Sequence, residues 1–172
     1  MSVVAVIGNQ RPESRTHGIA RALAREIGRA TGIPVGPEVD LARVGARVLD
    51  HGDGEAAAMA GDVLAAEVLV VASPTYKATY SGLLKAFLDR IGAGALAGAS
   101  AVPVLLGGAP DHRLAVDVHL TPLLLELGAS VPARGLFVLE SELDGFGELA
   151  AAWTDAAAPA LARSRPLALH DR

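Results

Sequence analysis

The stretch VLVVASPTYKATYSGLLKAFLDRI, residues 68–91, joins an apolar run to an amphipathic helix through a short polar loop. Its first five residues are apolar without alternation, which predicts a strand buried on both faces of a sheet. After Ser81, apolar residues recur at helical spacing: Leu83, Leu84, Phe87, Leu88 and Ile91. The stretch therefore predicts a buried strand, a loop and a helix, which is the unit that builds parallel sheets.

The same alternation of strand and helix signals extends outward in both directions. Apolar strand signals occur at residues 2–8, 101–106 and 135–139, and a weaker one at residues 33–41 is interrupted by Gly36 and Pro37. Helical spacing or alanine-rich composition follows them, around residues 19–27, 55–65, 111–127 and 150–162. We therefore predict one domain over residues 1–172, an α/β doubly wound sheet of five parallel strands with helices on both faces.

The composition narrows the class of protein. Of the 172 residues, 51% are hydrophobic and 20% are charged, which is typical of a globular chain. The formal net charge of −4 provides no basic face for a polyphosphate backbone, so we expect no nucleic-acid partner. The chain has no cysteine, and its N-terminus resembles neither a signal peptide nor a membrane span. We expect a cytoplasmic protein that does not bind membranes.

The first of three informative loops is GNQRPESRT, residues 8–16, between the first strand and the first helix. Backbone amides at a helix N-terminus bind anions, and the spacing here matches neither GxGxxG nor GxxxxGK[ST]. The loop therefore favours a single terminal phosphate over a dinucleotide or a triphosphate. The alternative is an ordinary turn with Ser14 or Thr16 as the N-cap and with solvated arginines.

The second and third loops follow the third and fourth strands. Pro74 stiffens the second loop, where Thr75 and Tyr76 offer polar groups to the edge of a planar heterocycle. In the third loop, Gly107 and Gly108 permit close approach of the backbone to a ligand. Ligands of doubly wound sheets bind at the carboxyl ends of the strands, so the three loops together predict a site for a phosphate tail and a planar ring. The alternative is that each loop is a simple turn into its helix.

These motifs resemble those of the NADPH-dependent FMN reductase family. GNQRPESRT is similar to the family's FMN phosphate loop, G-S-x-R-x-x-S-x-T, and SPTYKATYSGLLKAFLD is similar to its ring-binding loop and the helix that follows. VPVLLGGAPDHRLAVDVHLTPLLLELGA resembles the third loop and fourth helix, so the similarity covers residues 3–129. Within the family, the chain is most similar to the flavin reductases that supply reduced FMN to sulfonate monooxygenases.

The resemblance implies a flavodoxin-like fold, FMN as cofactor or substrate, and NADPH or NADH as hydride donor. It assigns the phosphate of FMN to Arg11, Ser14 and Thr16 of the first loop, with Asn9 beside them, and the loop itself adds Arg15 as a second guanidinium group at the helix N-terminus. It assigns the isoalloxazine ring and its polar edges to the other two loops: Pro74, Thr75, Tyr76, Lys77, Gly107, Gly108 and His112. Asn9 stands where the family usually has serine, and its amide can still donate to a phosphate.

The resemblance implies no catalytic residue, because hydride transfer from nicotinamide to flavin depends on stacking and orientation more than on an acid or base. Aromatic residues are only 3% of the chain, so we expect one face of the flavin ring to stay open to nicotinamide. Two alternatives stay open: a quinone, azo or chromate reductase with tightly bound FMN, and a non-enzymatic FMN-binding electron carrier or sensor. Release of FMN as a product, and a flavin-dependent monooxygenase as partner, are also open.

The fourth helix carries two further expectations. Relatives have an inserted residue there, at a π-bulge in their subunit interface, and the resemblance places Val118 at this position beside His119. Pro122 cannot donate to the carbonyl of Val118, so we expect a local irregularity. The helix is also rich in leucine: Leu120, Leu123, Leu124 and Leu125. Apolar surface on that scale predicts a homodimer or homotetramer.

The histidines of this region do not predict a metal site. His112 and His119 are seven residues apart and would share one face of a continuous helix. Zinc sites need three or four ligands, and no third candidate clusters with these two in the sequence. We therefore expect no bound metal.

Overall fold

The computed structural model describes residues 2–163 and contains a five-stranded parallel sheet. Its strands are β1 (Val3–Ile7), β2 (Val35–Asp40), β3 (Val68–Pro74), β4 (Ser100–Gly107) and β5 (Leu136–Leu139). Their order in the sheet is β2-β1-β3-β4-β5, and the neighbouring strands pair in parallel. The direction of winding therefore changes between β1 and β3, where doubly wound sheets bind ligands. The predicted α/β architecture is confirmed.

Helices cover both faces of this sheet. They are α1 (Arg15–Thr31), α2 (Gly54–Leu64), α3 (Gly82–Leu88), α4 (Thr121–Glu126) and α5 (Phe146–Arg163). One face of the sheet packs against α1 and α5, and the other packs against α2, α3 and α4. Among the described residues, no helix has both the length and the apolar character needed to cross a membrane.

The central strands are buried on both faces, as β1 illustrates. Val4 and Val6 belong to the cluster of α2 and α3, whereas Val3, Ala5 and Ile7 belong to the cluster of α1 and α5. Full burial of an aliphatic side chain contributes about 1.5–3 kcal/mol to stability. Because both faces need such side chains, the strand is uniformly apolar and does not alternate with polar residues.

The fourth helical region is divided into three segments. A 3-10 turn spans Pro110–His112, a π-helical segment spans Val116–Leu120, and α4 follows directly. The N–H of Thr121 bonds to the carbonyl of Val116, five residues earlier, and Pro122 has no N–H with which to restore the ordinary pattern. The irregularity predicted at this point is confirmed. His112 and His119 lie in separate segments, so they do not share one face of a continuous helix.

Of the four leucines whose apolar surface suggested an interface, Leu125 alone is exposed. Leu120 and Leu124 are fully buried, and Leu123 packs against the core. The π-helical segment adds a residue to one turn, which changes the direction in which the following side chains point. The exposed apolar side chains of the region are Leu114, Val118 and Leu125.

An ionic cluster ties the edge strand β2 to α1. Glu38 accepts hydrogen bonds from Nε of Arg21 at 2.8 Å and from its Nη2 at 2.9 Å, and Nε2 of His17 lies 2.6 Å from Oε2 of Glu38. Asp40, at the end of β2, has a carboxylate oxygen 3.6 Å from Nδ1 of His17. The hydrogen bonds from Arg21, and secondarily from His17, outweigh the effect of burial and lower the pKa of Glu38 from 4.5 to about 2.

This cluster predicts a pH-dependent part of the stability. Because the pKa of Glu38 is lower in the folded chain than its ordinary value of 4.5, its contribution is complete above about pH 4.5 and is lost as the pH falls toward 2. We expect Glu38→Gln to lower the free energy of unfolding at pH 7 by on the order of 1–2 kcal/mol, after a discount for solvent screening. At pH 3 the variant and the wild type should differ less, as urea unfolding at the two pH values would measure.

The matched control for this prediction is Glu26→Gln, which removes an ion pair within α1 to Arg29. Exposed pairs of this kind contribute little, so the control should change the free energy of unfolding by less than about 0.5 kcal/mol. A difference between Glu38→Gln and the wild type that is equally large at pH 7 and pH 3 would contradict the account.

Candidate functional site

A cavity of about 490 Å³ opens at the carboxyl ends of β1, β3 and β4, where the three predicted loops come together. Its volume lies in the range of small-molecule sites. Ten of the twelve predicted site residues line it: Asn9, Arg11, Ser14, Arg15, Thr16, Pro74, Thr75, Tyr76, Gly107 and Gly108. These ten residues come from three segments that are far apart along the chain.

Two predicted residues lie outside the cavity wall, and four lining residues were not predicted. Lys77 is exposed at the tip of its turn, and His112 lies in the 3-10 turn beyond the third loop. The unpredicted lining residues are Pro12, Glu13, Leu106 and Glu140. Glu140 directly follows β5. Its position after a predicted strand, at the carboxyl edge of the sheet, was the sequence signal that could have identified it.

Asn9 closes the first loop on itself. Its Oδ1 accepts a hydrogen bond from the N–H of Arg11 at 3.0 Å, and its Nδ2 donates to Oγ1 of Thr16 at 3.1 Å. The residue is 7% exposed, so these two bonds satisfy polar groups that are largely withdrawn from water. Asn9 therefore joins the two ends of the loop, and this limits its amide as a donor to a ligand.

The start of α1 presents unused hydrogen-bond donors to the cavity. Ser14 is the N-cap, and its Oγ accepts from the N–H of His17 at 3.2 Å. Within the described residues, no acceptor is recorded for the N–H groups of Arg15 and Thr16, the first two residues of the helix. Arg11 also lines the cavity, and it forms no ion pair with another of the described residues. The helix N-terminus and this cation together are suited to an anion.

The second loop is anchored by two buried serines. Oγ of Ser73 donates to the carbonyl of Pro74 at 2.8 Å and accepts from the N–H of Ser81, also at 2.8 Å. Oγ of Ser81 caps α3 by accepting from the N–H of Leu84 at 3.1 Å, and it donates to the carbonyl of Gly8. These bonds join the loop after β3 to the end of β1, so the first two walls of the cavity have fixed positions relative to each other.

The tip of the second loop is a tight two-residue turn. Tyr76 and Thr79 exchange backbone hydrogen bonds of 2.8 and 3.2 Å, and Lys77 and Ala78 between them have φ values of 51° and 63°. Left-handed backbone at residues other than glycine costs on the order of 1 kcal/mol each and is concentrated at functional sites. The turn leaves the Tyr76 side chain 45% exposed at the cavity wall.

The two glycines of the third loop have different reasons for being glycine. A Cβ on Gly107 would lie 2.6 Å from Cζ of Phe137 and 3.2 Å from Oγ1 of Thr75, so packing excludes a side chain there. A Cβ on Gly108 would meet nothing closer than Oε2 of Glu140 at 4.0 Å, so the backbone faces open space. Beside them, Oγ1 of Thr75 is buried and has no hydrogen-bond partner among the described residues.

These features fit the two ends of an FMN molecule. A phosphate needs several N–H donors and a cation, which the start of α1 and Arg11 supply. A flavin ring needs donors and acceptors for its polar edge, and the unpartnered hydroxyl of Thr75 beside the open backbone of Gly108 meets that need. Among residues 2–163, no group of three or more His, Asp or Glu side chains is arranged to hold a metal ion.

Comparison with known sequences points to the same ligand. The profile of the family described as NADPH-dependent FMN reductase matches residues 1–144. An FMN reductase (NADPH) from Pseudomonas aeruginosa is 32% identical over 150 residues, which are 84% of this chain and 80% of that protein. The NADH-dependent FMN reductase SfnF from Pseudomonas putida is 31% identical over 147 residues, which are 83% of this chain and 79% of that protein.

Solved structures agree with the sequence comparison. The apo form of an NADH:FMN oxidoreductase (EMOB) superposes with a TM-score of 0.85 at 27% identity, over 99% of this chain and 96% of that one. An archaeal flavodoxin superposes with a TM-score of 0.60 at 17% identity, over 91% of this chain and 98% of that one, and so shares the fold alone. The flavodoxin-like fold is confirmed, and the chain belongs to the NADPH-dependent FMN reductase family.

Proposed function

We propose that the protein is an NAD(P)H-dependent FMN reductase that holds FMN in the cavity during transfer of a hydride from reduced nicotinamide. One observation carries the proposal: unused donors at the start of α1 lie at one part of the cavity wall, and the unpartnered hydroxyl of Thr75 lies at another. These are complementary to the phosphate and to the polar ring edge of a single FMN molecule. Family membership supports the same ligand and the same reaction.

The residues of this chain bind and orient, and the bound flavin supplies the hydride acceptor. The N–H groups of Arg15 and Thr16 would hold the phosphate, with Arg11 beside them, while Thr75 and the backbone at Gly108 would meet the ring edge. Tyr76 is the one aromatic residue in the wall that the described residues form. A wall with so little aromatic cover leaves a ring face for nicotinamide, which favours a reductase over a carrier that shields its flavin.

Two other readings make different predictions in one assay. A quinone, azo or chromate reductase with tightly bound FMN should oxidise NADPH with quinone and no added flavin, whereas an electron carrier should do neither reaction at a useful rate. The proposed reductase should oxidise NADPH or NADH when free FMN is the only acceptor. Steady-state NAD(P)H oxidation under these two conditions separates all three, and a lack of FMN-dependent oxidation would remove the proposal.

Two details of the reaction are also proposals: which reduced nicotinamide donates the hydride, and which protein consumes the reduced FMN. One relative is described as using NADPH and another as NADH-dependent, so we propose that both donors be compared for this chain. A flavin-dependent monooxygenase as the consumer of reduced FMN, and work in the cytoplasm, stay predictions that rest on the resemblance and the composition.

We also propose that the protein is a homodimer or homotetramer that pairs through the fourth helical region. Leu114, Val118 and Leu125 expose 66%, 56% and 52% of their surface there. Apolar side chains exposed together on one helical region commonly mark an interface, and Val118 lies within the π-helical segment.

Sedimentation tests this interface. Wild-type protein should sediment as a multiple of 17.5 kDa at micromolar concentration, and Val118→Asp should shift it toward that mass because a buried unpaired carboxylate is costly. Leu64→Asp is the matched control, since Leu64 is 49% exposed at the end of α2 and lies outside the proposed interface. Wild-type protein of monomeric mass would exclude the oligomer.

Arg11→Ala tests the phosphate site. A charge-assisted hydrogen bond contributes roughly 1.5–3 kcal/mol, so the change should raise the Kd for FMN by about tenfold or more. The Kd for riboflavin, which lacks the phosphate, should hardly change. The control Arg25→Ala removes the same charge from an exposed position farther along α1 and should leave both affinities intact. Equal losses for the two flavins would contradict the assignment.

Tyr76→Ala tests whether this side chain aligns the flavin. If it does, a ring displaced by about 1 Å should react on the order of a hundredfold more slowly in the hydride-transfer step under stopped flow. The melting temperature without flavin should change little, because the side chain is 45% exposed. Tyr76→Phe keeps the ring and should retain most of the rate. A Tyr76→Ala variant that is less stable yet transfers hydride normally would make Tyr76 a structural residue.

A further inference from the structure

The charged side chains of the cavity wall cancel one another. Two arginines, Arg11 and Arg15, and two glutamates, Glu13 and Glu140, line it, so their formal charges sum to zero. FMN carries a phosphate that is close to a dianion at neutral pH, and the side chains of the wall offer it no net formal charge beyond the amide donors of α1. The two carboxylates of the described wall offset the charge of the two arginines, and a carboxylate close to the phosphate would oppose its tight binding.

Glu140 is the carboxylate placed to do this. Its Oε1 accepts from Nη2 of Arg15 at 2.8 Å, and its Oε2 lies 4.0 Å from the point where a Cβ on Gly108 would stand. Glu140 thus reaches from the third loop to the first residue of α1. The Arg15 and Glu140 side chains are 61% and 43% exposed, and an ion pair this open separates at little cost.

We propose that Glu140 competes with the phosphate of FMN for Arg15, and that this competition makes FMN a substrate that leaves the site. The inference rests on the proposed function, and it addresses whether FMN is released or retained. When the phosphate binds beside α1, the guanidinium of Arg15 can pair with the phosphate or with Glu140. In either case one of the two anions loses part of its favourable interaction with Arg15, and the carboxylate and the phosphate also repel each other.

Glu140→Gln removes the competing charge and keeps the shape of the side chain. Because an exposed ion pair and a solvent-screened repulsion are both modest, the Kd for FMN should fall by about three- to tenfold. The rate of FMN dissociation should fall with it, and the Kd for riboflavin should change by less than about twofold, since riboflavin carries no phosphate to compete for Arg15.

Glu142→Gln is the matched control. Glu142 lies two residues along the same segment, pairs with Arg113 at 3.1 Å and does not line the cavity. The control changes the net charge by the same amount, so it should leave the FMN affinity within about twofold if long-range attraction is screened. The melting temperature of each variant reports whether the fold is intact.

The double variant Arg15→Ala/Glu140→Gln separates competition from simple repulsion. Glu140→Gln should lower the Kd for FMN by some factor when Arg15 is present. When Arg15 is already alanine, the same substitution should lower the Kd by less than half of that factor. No tightening by Glu140→Gln, equal tightening of FMN and riboflavin, or the same tightening in the Arg15→Ala background would overturn the inference. Each of these outcomes is compatible with FMN-dependent NAD(P)H oxidation by the wild type. Failure of that oxidation would instead remove the proposed function.

Discussion

The buried hydroxyl of Ser81 joins the parts of the chain on which the cavity depends. It caps α3 and donates to the carbonyl of Gly8, and Gly8 is so close to α3 that a Cβ there would lie 2.7 Å from Cβ of Leu84. Ser73 extends the same network to the end of β3. The end of β1 and the loop after β3 are thereby held together by buried hydrogen bonds, which are strong because no water competes for them. The loops that line the cavity start from these fixed points.

A binding site built in this way uses the main chain more than side chains. The N–H groups of Arg15 and Thr16 are available because every helix leaves its first amides unpaired. The side chain of Asn9 forms its hydrogen bonds within the loop that leads to them. In the family's reaction the flavin supplies the hydride acceptor, so the role expected of these residues is to bind and orient it. Among the side chains of the wall, Arg15 is already paired with Glu140, and this ion pair is the basis of the proposed competition with the phosphate.

Much of this could be predicted from the sequence because it depends on local patterns. Uniformly apolar strands and helical spacing predicted the sheet. The polar residues directly after β1, β3 and β4 were proposed as site residues, and ten of the twelve proposed residues line the cavity. The contacts of Glu140 could not be predicted in this way, since it pairs with a residue 125 positions away. Gly107 lines the cavity, but the packing of Phe137 where its side chain would stand could not be predicted from the local sequence. The burial of Leu120 and Leu124 could not be predicted from regular helical spacing, because a π-helical segment changes the phase of the helix, although Pro122 had indicated an irregularity there.

The central claim is that one FMN molecule lies along this cavity with its phosphate at the start of α1 and its ring edge at Thr75. A crystal structure of the complex with FMN tests it most directly. The account predicts phosphate oxygens about 3 Å from the backbone nitrogens of Arg15 and Thr16, and a polar ring atom at the same distance from Oγ1 of Thr75. A flavin bound in the opposite direction, or bound away from α1 and Thr75, would contradict it.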